Sequence, residues 1–303
     1  MVGLKKGLIL KGVGSFYEVL DASDNKTIYT CQVRGIHRKS GGISPLPGDF
    51  VTFKILDEDR LSGHIVEMLE RKNEFIRPPV ANIDQLAIVM SIASPEPDLG
   101  LADKLLITCE TKSIKPLVLI NKSDLDTSDM LPKVKRIYEQ AGYHVIVISK
   151  VLNTGYEELH QELRGLKTAF AGQSGVGKST ILNKILDNWL METGDISERN
   201  HRGKHTTRHT QLLPLDGGGF VVDTPGFSSY TIIDIDHQDL PSFYPEFREE
   251  SDNCRFKGCS HINEPDCRIR HLVETGATDL GRYERYVQLY RELKDAYDNR
   301  YRR

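Results

Sequence analysis

The stretch Gly172-Gln-Ser-Gly-Val-Gly-Lys-Ser179 decides the fold, because it fits the glycine-rich phosphate-loop pattern that ends in lysine and serine. A strand-like run, Thr168-Ala-Phe-Ala171, precedes it, and a segment predicted to be helical follows from Thr180. Glycines let backbone N–H groups turn toward phosphate oxygens, and the N-terminus of the helix adds a favourable dipole. We expect Lys178 to neutralise the β and γ phosphates and Ser179 to bind Mg²⁺. The expected phosphate-binding residues are Gly172, Gln173, Ser174, Gly175, Val176, Gly177, Lys178, Ser179 and Thr180.

Apolar runs alternate with helical segments on both sides of this loop. The runs are Leu86–Ile92, Leu117–Ile120, Val145–Ile148 and Phe220–Val222. Apolar residues recur with helical spacing from Leu101 to Cys109 and from Leu131 to Tyr138. Alternating strands and helices predict an α/β domain built on a mostly parallel sheet.

A base-recognition motif, Asn121-Lys-Ser-Asp124, directly follows one of these strands. The Asp124 carboxylate could accept hydrogen bonds from the N1–H and 2-amino groups of guanine, whereas adenine would leave it unpaired. Ser149 and Lys150, at the end of the next strand, would support the base from its other side. The motif therefore predicts binding of GTP and GDP, through Asn121, Lys122, Ser123, Asp124, Ser149 and Lys150.

Two later segments have the character of nucleotide switches. Asp223-Thr-Pro-Gly226 follows a strand, so that Asp223 could hold Mg²⁺ through water and the Gly226 amide could sense the γ-phosphate. In the loop before this segment, Thr206 and Thr207 are both candidates for a Mg²⁺ ligand. We expect Thr207 to bind Mg²⁺ together with Ser179.

The expected hydrolytic step needs a residue that orients water. Phe227 follows Gly226, where Ras-like enzymes carry a glutamine, and phenylalanine cannot orient water. His205 is the catalytic candidate because imidazole can accept a proton from water near neutral pH. The alternative is a surface histidine in a flexible loop. Unaided hydrolysis is expected to be slow.

The order of the motifs is permuted relative to regulatory GTPases, since Asn121 precedes Gly172. A site at the carboxyl ends of parallel strands depends on spatial order, so it survives the rearrangement. The chain that leaves Gly226 enters a cysteine-rich region, and we expect loss of the γ-phosphate to move that region.

Cys254, Cys259, His261 and Cys267 crowd into fourteen residues. Three thiolates and one imidazole match a closed structural Zn²⁺ site. The segment has little apolar content of its own, so metal is expected to be its main source of order. Unligated buried cysteines and a catalytic zinc are the alternatives.

The two ends of the chain complete the predicted division into domains. Five short strand-like runs within residues 1–72 predict a small β-barrel of OB or SH3-like closure, and OB barrels often bind oligonucleotides. Residues 73–232 form the predicted permuted GTPase domain, and residues 233–303 an α-rich zinc-binding domain. The last helix of this third domain, Leu280 to Tyr301, carries tyrosines at helical spacing. This spacing favours packing of the tyrosine rings inside the protein over their stacking on RNA bases. Candidate basic contacts in the first domain are Arg34, His37, Arg38 and Lys39.

The bulk composition is that of an ordinary globular protein, with 39% hydrophobic and 27% charged residues. The formal net charge of -3 limits nucleic-acid contacts to local basic patches. No long apolar run or signal-like start is present. We expect a cytoplasmic monomer without membrane contact.

Taken together, the barrel, N-K-S-D, G-Q-S-G-V-G-K-S-T, G-K-H-T-T, D-T-P-G-F and C-x4-C-x-H-x5-C resemble the RsgA (YjeQ) family of ribosome-assembly GTPases over nearly the whole chain. The resemblance implies binding to the small (30S) ribosomal subunit and its 16S-type rRNA late in maturation, with GTP hydrolysis stimulated by that subunit. It also implies GTP binding by Asn121 to Asp124 and by Gly172 to Thr180, zinc binding by the four Cys/His residues, and a role for the histidine at position 205.

Two rival functions stay open at this point. A P-loop kinase for a small metabolite would not predict N-K-S-D, D-T-P-G or a zinc module. An RNA-binding scaffold with a structural nucleotide is the second rival, which Phe227 keeps open because it cannot orient water.

Overall fold

The computed structural model describes residues 4–33, 44–193, 210–227 and 235–301. In chain order the strands in these ranges are β1 (Leu4–Val13), β2 (Phe16–Asp21), β3 (Ile28–Val33), β4 (Phe50–Asp57), β5 (Ser62–Met68), β6 (Glu74–Phe75), β7 (Val80–Ala81), β8 (Gln85–Ser91), β9 (Lys115–Asn121), β10 (Val145–Val147), β11 (Lys167–Ala171), β12 (Gln211–Pro214) and β13 (Phe220–Phe227). The α-helices are α1 (Leu99–Lys112), α2 (Met130–Gln140), α3 (Tyr156–Leu163), α4 (Lys178–Thr193), α5 (Pro245–Arg248), α6 (Arg268–Glu274) and α7 (Leu280–Tyr301). Short 3-10 turns occupy Ser123–Leu125, Leu240–Phe243 and Ser251–Asn253.

The chain divides into two compact units, each made of several segments. The first unit comprises Met1–Leu86, Glu157–Phe170 and Ser179–Phe227, and the second comprises Ala87–Tyr156, Ala171–Lys178 and Ser228–Arg303. The predicted division into three consecutive domains stays a prediction. Within the described ranges, no helix combines the length and the apolar character that crossing a membrane requires.

A five-stranded barrel opens the first unit. Its strands follow the order β1-β2-β3-β5-β4, and pairing of β1 with β4 closes it. β3 and β5 run parallel, while the other neighbours are antiparallel. Ile9, Val19, Phe53 and Ile65 fill the interior together with the buried thiol-bearing Cys31. This Greek-key closure decides the question left open by the sequence in favour of an OB-like barrel.

In its second half β1 stays paired with β2, but its other edge changes partner from β4 to β12 of the same unit. The register shifts between Ile9 and Lys11, and Lys11 then faces Gln211 of β12. Such an irregularity bends a strand and lets its two halves serve different neighbours. The pairing continues from β12 to β13 and from β13 to β11. One long strand therefore belongs both to the barrel and to the sheet that carries Asp223.

In the second unit, β9 and β10 run parallel and β8 lies beside β9. Leu117, Val118, Leu119 and Ile120 of β9 are all fully buried. Burial of consecutive residues means that both faces of the strand are covered, as parallel strands with helices on both sides require. The predicted buried runs therefore form the expected α/β sheet.

The C-terminal part of this unit, residues 235–301, is called the metal module below. Its core contains Leu240, Tyr244, Phe247, Ile269 and Tyr286, and Ile107 of α1 joins the same cluster. The module thus packs on α1 within the second unit. The tyrosine face predicted for α7 does pack: Tyr286 is fully buried, and Tyr283, Tyr290 and Leu293 lie against the cluster.

Candidate nucleotide and metal sites

The phosphate loop connects the end of β11 to the start of α4, as its sequence predicts. Gly172, Gly175 and Gly177 adopt φ values of 138°, 82° and 99°, which lie in the region that favours glycine. A Cβ at Gly172 would lie 2.0 Å from the Val89 carbonyl oxygen, and one at Gly177 would lie 2.3 Å from the Asn121 side-chain nitrogen. Any larger residue at either position would push the loop away from its supports.

Lys178 bends back over this loop. Its ammonium group donates to the carbonyl oxygens of Gly172 at 2.6 Å and Gln173 at 2.8 Å. Burial lowers the pKa of Lys178 from its ordinary value, because the charged form loses water. The ammonium is therefore held at the loop, where a phosphate could replace the neutral carbonyls as its partner. Ser179 and Thr180 lie in the first turn of α4 and belong to the first unit.

The base-recognition motif is bonded directly to the phosphate loop within the second unit. Asn121, which is 4% exposed, donates from its side-chain nitrogen to the Val176 carbonyl at 2.8 Å. The Lys122 ammonium donates to the Gly175 carbonyl at 2.9 Å and also to the Ser94 carbonyl. The two motifs that sequence analysis treated as separate contacts to base and phosphate thus hold each other in place.

Asp124 is oriented by the other predicted base-binding segment. The Ser149 hydroxyl donates to Asp124 Oδ1 at 2.5 Å and accepts from the Leu152 backbone N–H at 3.0 Å. Backbone bonds between Ser149 and Thr154, at 3.1 and 3.3 Å, close the intervening loop. Lys150 lies exposed in that loop, and Ser123 begins the 3-10 turn that carries Asp124. The carboxylate is therefore fixed in direction before any base binds.

The remaining predicted nucleotide residues fall into two groups. Asp223 and Gly226 lie on β13 in the first unit, where the Gln211 side chain donates to Asp223 Oδ2 at 3.3 Å. His205, Thr206 and Thr207 lie outside the described residues, as do the basic candidates Arg34, His37, Arg38 and Lys39.

One neighbour of the phosphate loop was not predicted. Besides Ser94, whose carbonyl accepts from Lys122, the ring of Pro95 lies 3.6 Å from where a Cβ at Gly175 would be. This segment follows β8 at the carboxyl end of the sheet, where nucleotide sites of α/β proteins form. In the sequence, the prolines that follow this buried strand could have indicated a contact with the phosphate loop.

The four predicted metal ligands come together in the metal module. Their ligand atoms, from Cys254, Cys259, His261 and Cys267, all lie within 4.8 Å of one another. His261 Nδ1 lies 3.6 Å from Cys254 Sγ and 3.5 Å from Cys267 Sγ. A tetrahedral ion with ordinary Zn–S and Zn–N bonds places such atoms ~3.5 Å apart. Burial raises the pKa of the Cys259 thiol to about 12, so a bound cation would be needed to keep it as thiolate. The cluster can hold a metal ion.

Further contacts orient these ligands. His261 Nε2 lies 3.2 Å from the Ser251 hydroxyl, which leaves Nδ1 facing the sulfur atoms. Tyr283 and Tyr286 donate from their hydroxyls to the carbonyls of His261 and Ser260, at 2.7 and 2.6 Å. The expectation that metal is the main source of order stays a prediction. Aromatic side chains from outside the segment also cover and bond it.

In the last helix, α7, the structure agrees with the favoured prediction of packing and not with the alternative of an RNA contact. Arg282 is 2% exposed and bonds Asp103 and Glu246, and Arg285 also pairs with Asp103. Tyr286 is buried against Tyr244 and Phe247. These residues pack inside the second unit because their partners, far away in sequence, neutralise and cover them. They are therefore not available to an RNA surface.

Comparisons with known proteins agree with this geometry. The sequence profile of the RsgA GTPase domain matches residues 68–233, and that of the RsgA N-terminal domain matches residues 6–65. A relative from Ruminiclostridium cellulolyticum, named small ribosomal subunit biogenesis GTPase RsgA, is 52% identical, over 96% of this chain and 95% of its own. The Bacillus subtilis protein of that name is 40% identical, over 96% and 98%.

Solved structures show the same architecture over the full length. The crystal structure of YloQ, described as a circularly permuted GTPase, superposes with a TM-score of 0.81 at 36% identity, covering 97% of this chain and 96% of that one. YjeQ from Thermotoga maritima gives 0.80 at 34% identity, covering 96% and 99%. Both domain profiles and these close relatives place the chain in one family: it belongs to the RsgA family of GTPases.

Proposed function

We propose that this protein binds the small ribosomal subunit and its 16S-type rRNA late in assembly, and that the subunit stimulates its hydrolysis of GTP to GDP and phosphate. The observation that carries the proposal is the direct bonding of Asn121 and Lys122 to the phosphate loop, which joins base and phosphate recognition into one preformed site. The names of the relatives supply the subunit as partner. Such a role implies that the protein works in the cytoplasm, and we expect it to act as a monomer.

In this proposal the guanine base meets the oriented carboxylate of Asp124, supported by Ser149 and Lys150. The phosphates lie on the loop from Gly172 to Thr180, where Lys178 exchanges its carbonyl partners for phosphate oxygens. A phosphate oxygen carries negative charge, so its bond to the ammonium adds an attraction between opposite charges that a neutral carbonyl does not offer, which makes the exchange favourable. Ser179 and Thr207 would hold Mg²⁺, with Asp223 acting through water and Gly226 sensing the γ-phosphate.

The structural metal in this proposal is Zn²⁺, held by Cys254, Cys259, His261 and Cys267. Three sulfurs and one imidazole nitrogen at tetrahedral spacing are the donor set that zinc prefers. All four positions are taken by protein atoms, so the ion would have no open position for catalysis. It would fix the loop that carries the ligands.

Water orientation is the step that this chain needs a partner to complete. Phe227 has no group that can orient water, and His205 is the proposed replacement. We expect the small subunit to bring His205 and the attacking water together. Replacement of His205 by alanine should then lower subunit-stimulated turnover by ~100-fold or more, in the range that general bases contribute, and leave GTP binding intact.

The deciding experiment measures GTP hydrolysis by the protein alone, with small subunits and with large subunits, with ATP as control. Stimulation by small subunits only is the expected result. Equal rates in every mixture would refute the proposed partner. Turnover of ATP in preference to GTP would revive the kinase alternative, and no turnover in any mixture would favour a scaffold with a structural nucleotide.

A further inference from the structure

A buried ionic network joins α1 to the metal module. Arg282 Nη1, on α7, donates to Asp103 Oδ1 at 2.6 Å, and its Nε donates to Glu246. Arg285 Nε donates to the second oxygen of Asp103 at 2.5 Å. The side chains of Asp103 and Arg282 are 3% and 2% exposed. The rings of Tyr244, Tyr143 and Tyr138 surround the guanidinium of Arg282, with centroids at 4.8, 5.5 and 5.9 Å. Charges from α1, α5 and α7 therefore meet at one buried point.

Such a network by itself adds little to the stability of the fold. Buried ion pairs lose hydration, and apolar residues of similar volume often stabilise a protein as well or better. What a buried network does provide is a defined geometry between the elements that carry its charges. This network also has unused capacity, because Tyr244 Oη and Arg285 Nη2 have no hydrogen-bond partner in the described part of the chain.

The same helix is attached to the metal module along its length. Lys104 pairs with Glu292 at 3.5 Å, and Glu110 pairs with Arg248 at 2.6 Å. Ile107, between them, lies in the core of the module. From Asp103 to Glu110, α1 is therefore held against the module chiefly by the buried network and by Ile107, since a half-exposed pair such as Lys104–Glu292 contributes little.

The opposite end of α1 meets the phosphate loop. Asp98 caps the helix by accepting from the Leu101 N–H at 2.8 Å. Asp98, Leu101 and Leu105 line a cavity of about 10 Å³ together with Gly172, Gln173 and Val176. A cavity of that size has room for about one water. Gln173 Oε1 is buried without a hydrogen-bond partner in the described chain. The loop thus has little space to rearrange here without displacing the first turns of α1.

We propose that Asp103 and Arg282 are positioning residues through which α1 transmits nucleotide occupancy of the phosphate loop to the metal module. This rests on the proposed function, because it takes that loop as the nucleotide site, and it adds a route besides the chain that leaves Gly226. Coupling between two sites is reciprocal, so a partner bound to the module changes nucleotide affinity by the same factor. In this proposal the network determines how far a displacement of the phosphate loop also displaces α7.

The test compares hydrogen exchange of residues 268–301 in the full-length, metal-loaded protein without nucleotide, with GDP and with a non-hydrolysable GTP analogue. In the wild type we expect exchange rates in α7 to change by ~5-fold or more between states, the lower end of usual allosteric coupling. Asp103→Asn keeps the shape of the side chain, removes its charge and leaves Arg282 paired with Glu246. We expect it to reduce that response to less than ~2-fold. Lys104→Gln removes the neighbouring exposed ion pair of α1 and should respond as the wild type does.

Two outcomes would overturn the inference: a wild type whose α7 does not respond to nucleotide, and an Asp103→Asn variant that responds fully. Metal content and thermal melting check that Asp103→Asn is folded. If it is not, Arg285→Gln removes one bond from the more exposed edge of the network and must itself weaken the response. Exchange needs no ribosome, so its result is separate from that of the hydrolysis assay. Absence of stimulation by small subunits in the wild type would refute the proposed function, not the coupling.

Discussion

The bond between the Asn121 side chain and the Val176 carbonyl is expected to determine phosphate binding more than base binding. Asn121→Ala removes the only described donor to a buried carbonyl of the phosphate loop. An unpaired buried acceptor costs ~1–3 kcal/mol, and we take about 2 kcal/mol here because the site is almost completely buried. The loop of the free protein would relax to another arrangement, and bound nucleotide would have to restore the present one. Affinity for GDP should then fall by up to ~30-fold.

The assay is titration of Asn121→Ala with GDP and with GMP. GMP lacks the β-phosphate that the loop encloses, so it should lose a smaller factor than GDP. Asp124→Asn is the matched comparison: it changes the group that faces the base, so GDP and GMP should lose equal factors. Equal losses for both ligands in Asn121→Ala would refute the reasoning, as would an unchanged affinity for GDP. The part of the ~2 kcal/mol that relaxation of the loop does not relieve should appear in a urea titration as a loss of unfolding free energy, so the stability loss and the affinity loss together should come to about 2 kcal/mol.

Three further predictions concern other parts of the chain. Cys254→Ser should lose bound metal and make residues 254–267 sensitive to protease; full metal content by elemental analysis would contradict the proposed ligand set. Gly48→Ala should destabilise the barrel by ~2–4 kcal/mol in urea unfolding, because at φ 93° its Cβ would lie 2.0 Å from the Ala81 carbonyl oxygen. Gly14→Ala is its control: Gly14 also has a positive φ but has nothing within 4 Å of its Cβ, so only backbone strain of ~1–2 kcal/mol should appear, and equal losses at the two glycines would exclude steric overlap as the cause. Finally, hydrogen bonds from the Thr27 hydroxyl and from the N–H groups of Thr27 and Lys26 lower the pKa of Asp24 from 3.8 to about 2. Because the folded pKa is the lower one, its contribution to barrel stability should be present above pH 4 and disappear as the pH falls to about 2. Thr27→Val should raise the carboxyl pKa seen by NMR, and an unchanged value would refute this assignment.

Sequence patterns predicted most of the sheet, because buried runs such as Leu117–Ile120 read as strands without tertiary information. They did not predict β12, whose four residues end in Pro214 and are held in place by pairing with β1 and β13. The closure of the barrel was also beyond local patterns. It depends on the parallel pairing of β3 with β5 and on the return of β4 to β1.

For the sites, spacing in the sequence was sufficient to predict the metal ligands and the phosphate loop, since each set is local. It was insufficient for Arg282, whose buried ion pairs no local pattern predicts. Its partner Asp103 lies 179 residues earlier in the chain, and only folding brings the two charges together. The same limit explains why sequence analysis missed the bonds from Asn121 and Lys122 to the phosphate loop, which join residues 55 and 53 positions apart.

The shared strand β1 has a consequence for any shortened form of this protein. Its first half closes the barrel against β4, and Lys11 in its second half pairs with Gln211 on the outer side of β12. Removal of the barrel would strip β12 of that neighbour at Gln211 and expose its edge, and exposed strand edges can pair with strands of other chains. A truncated protein of this kind should self-associate and precipitate even if its nucleotide site folds. We therefore expect the barrel also to protect the rest of the molecule from aggregation.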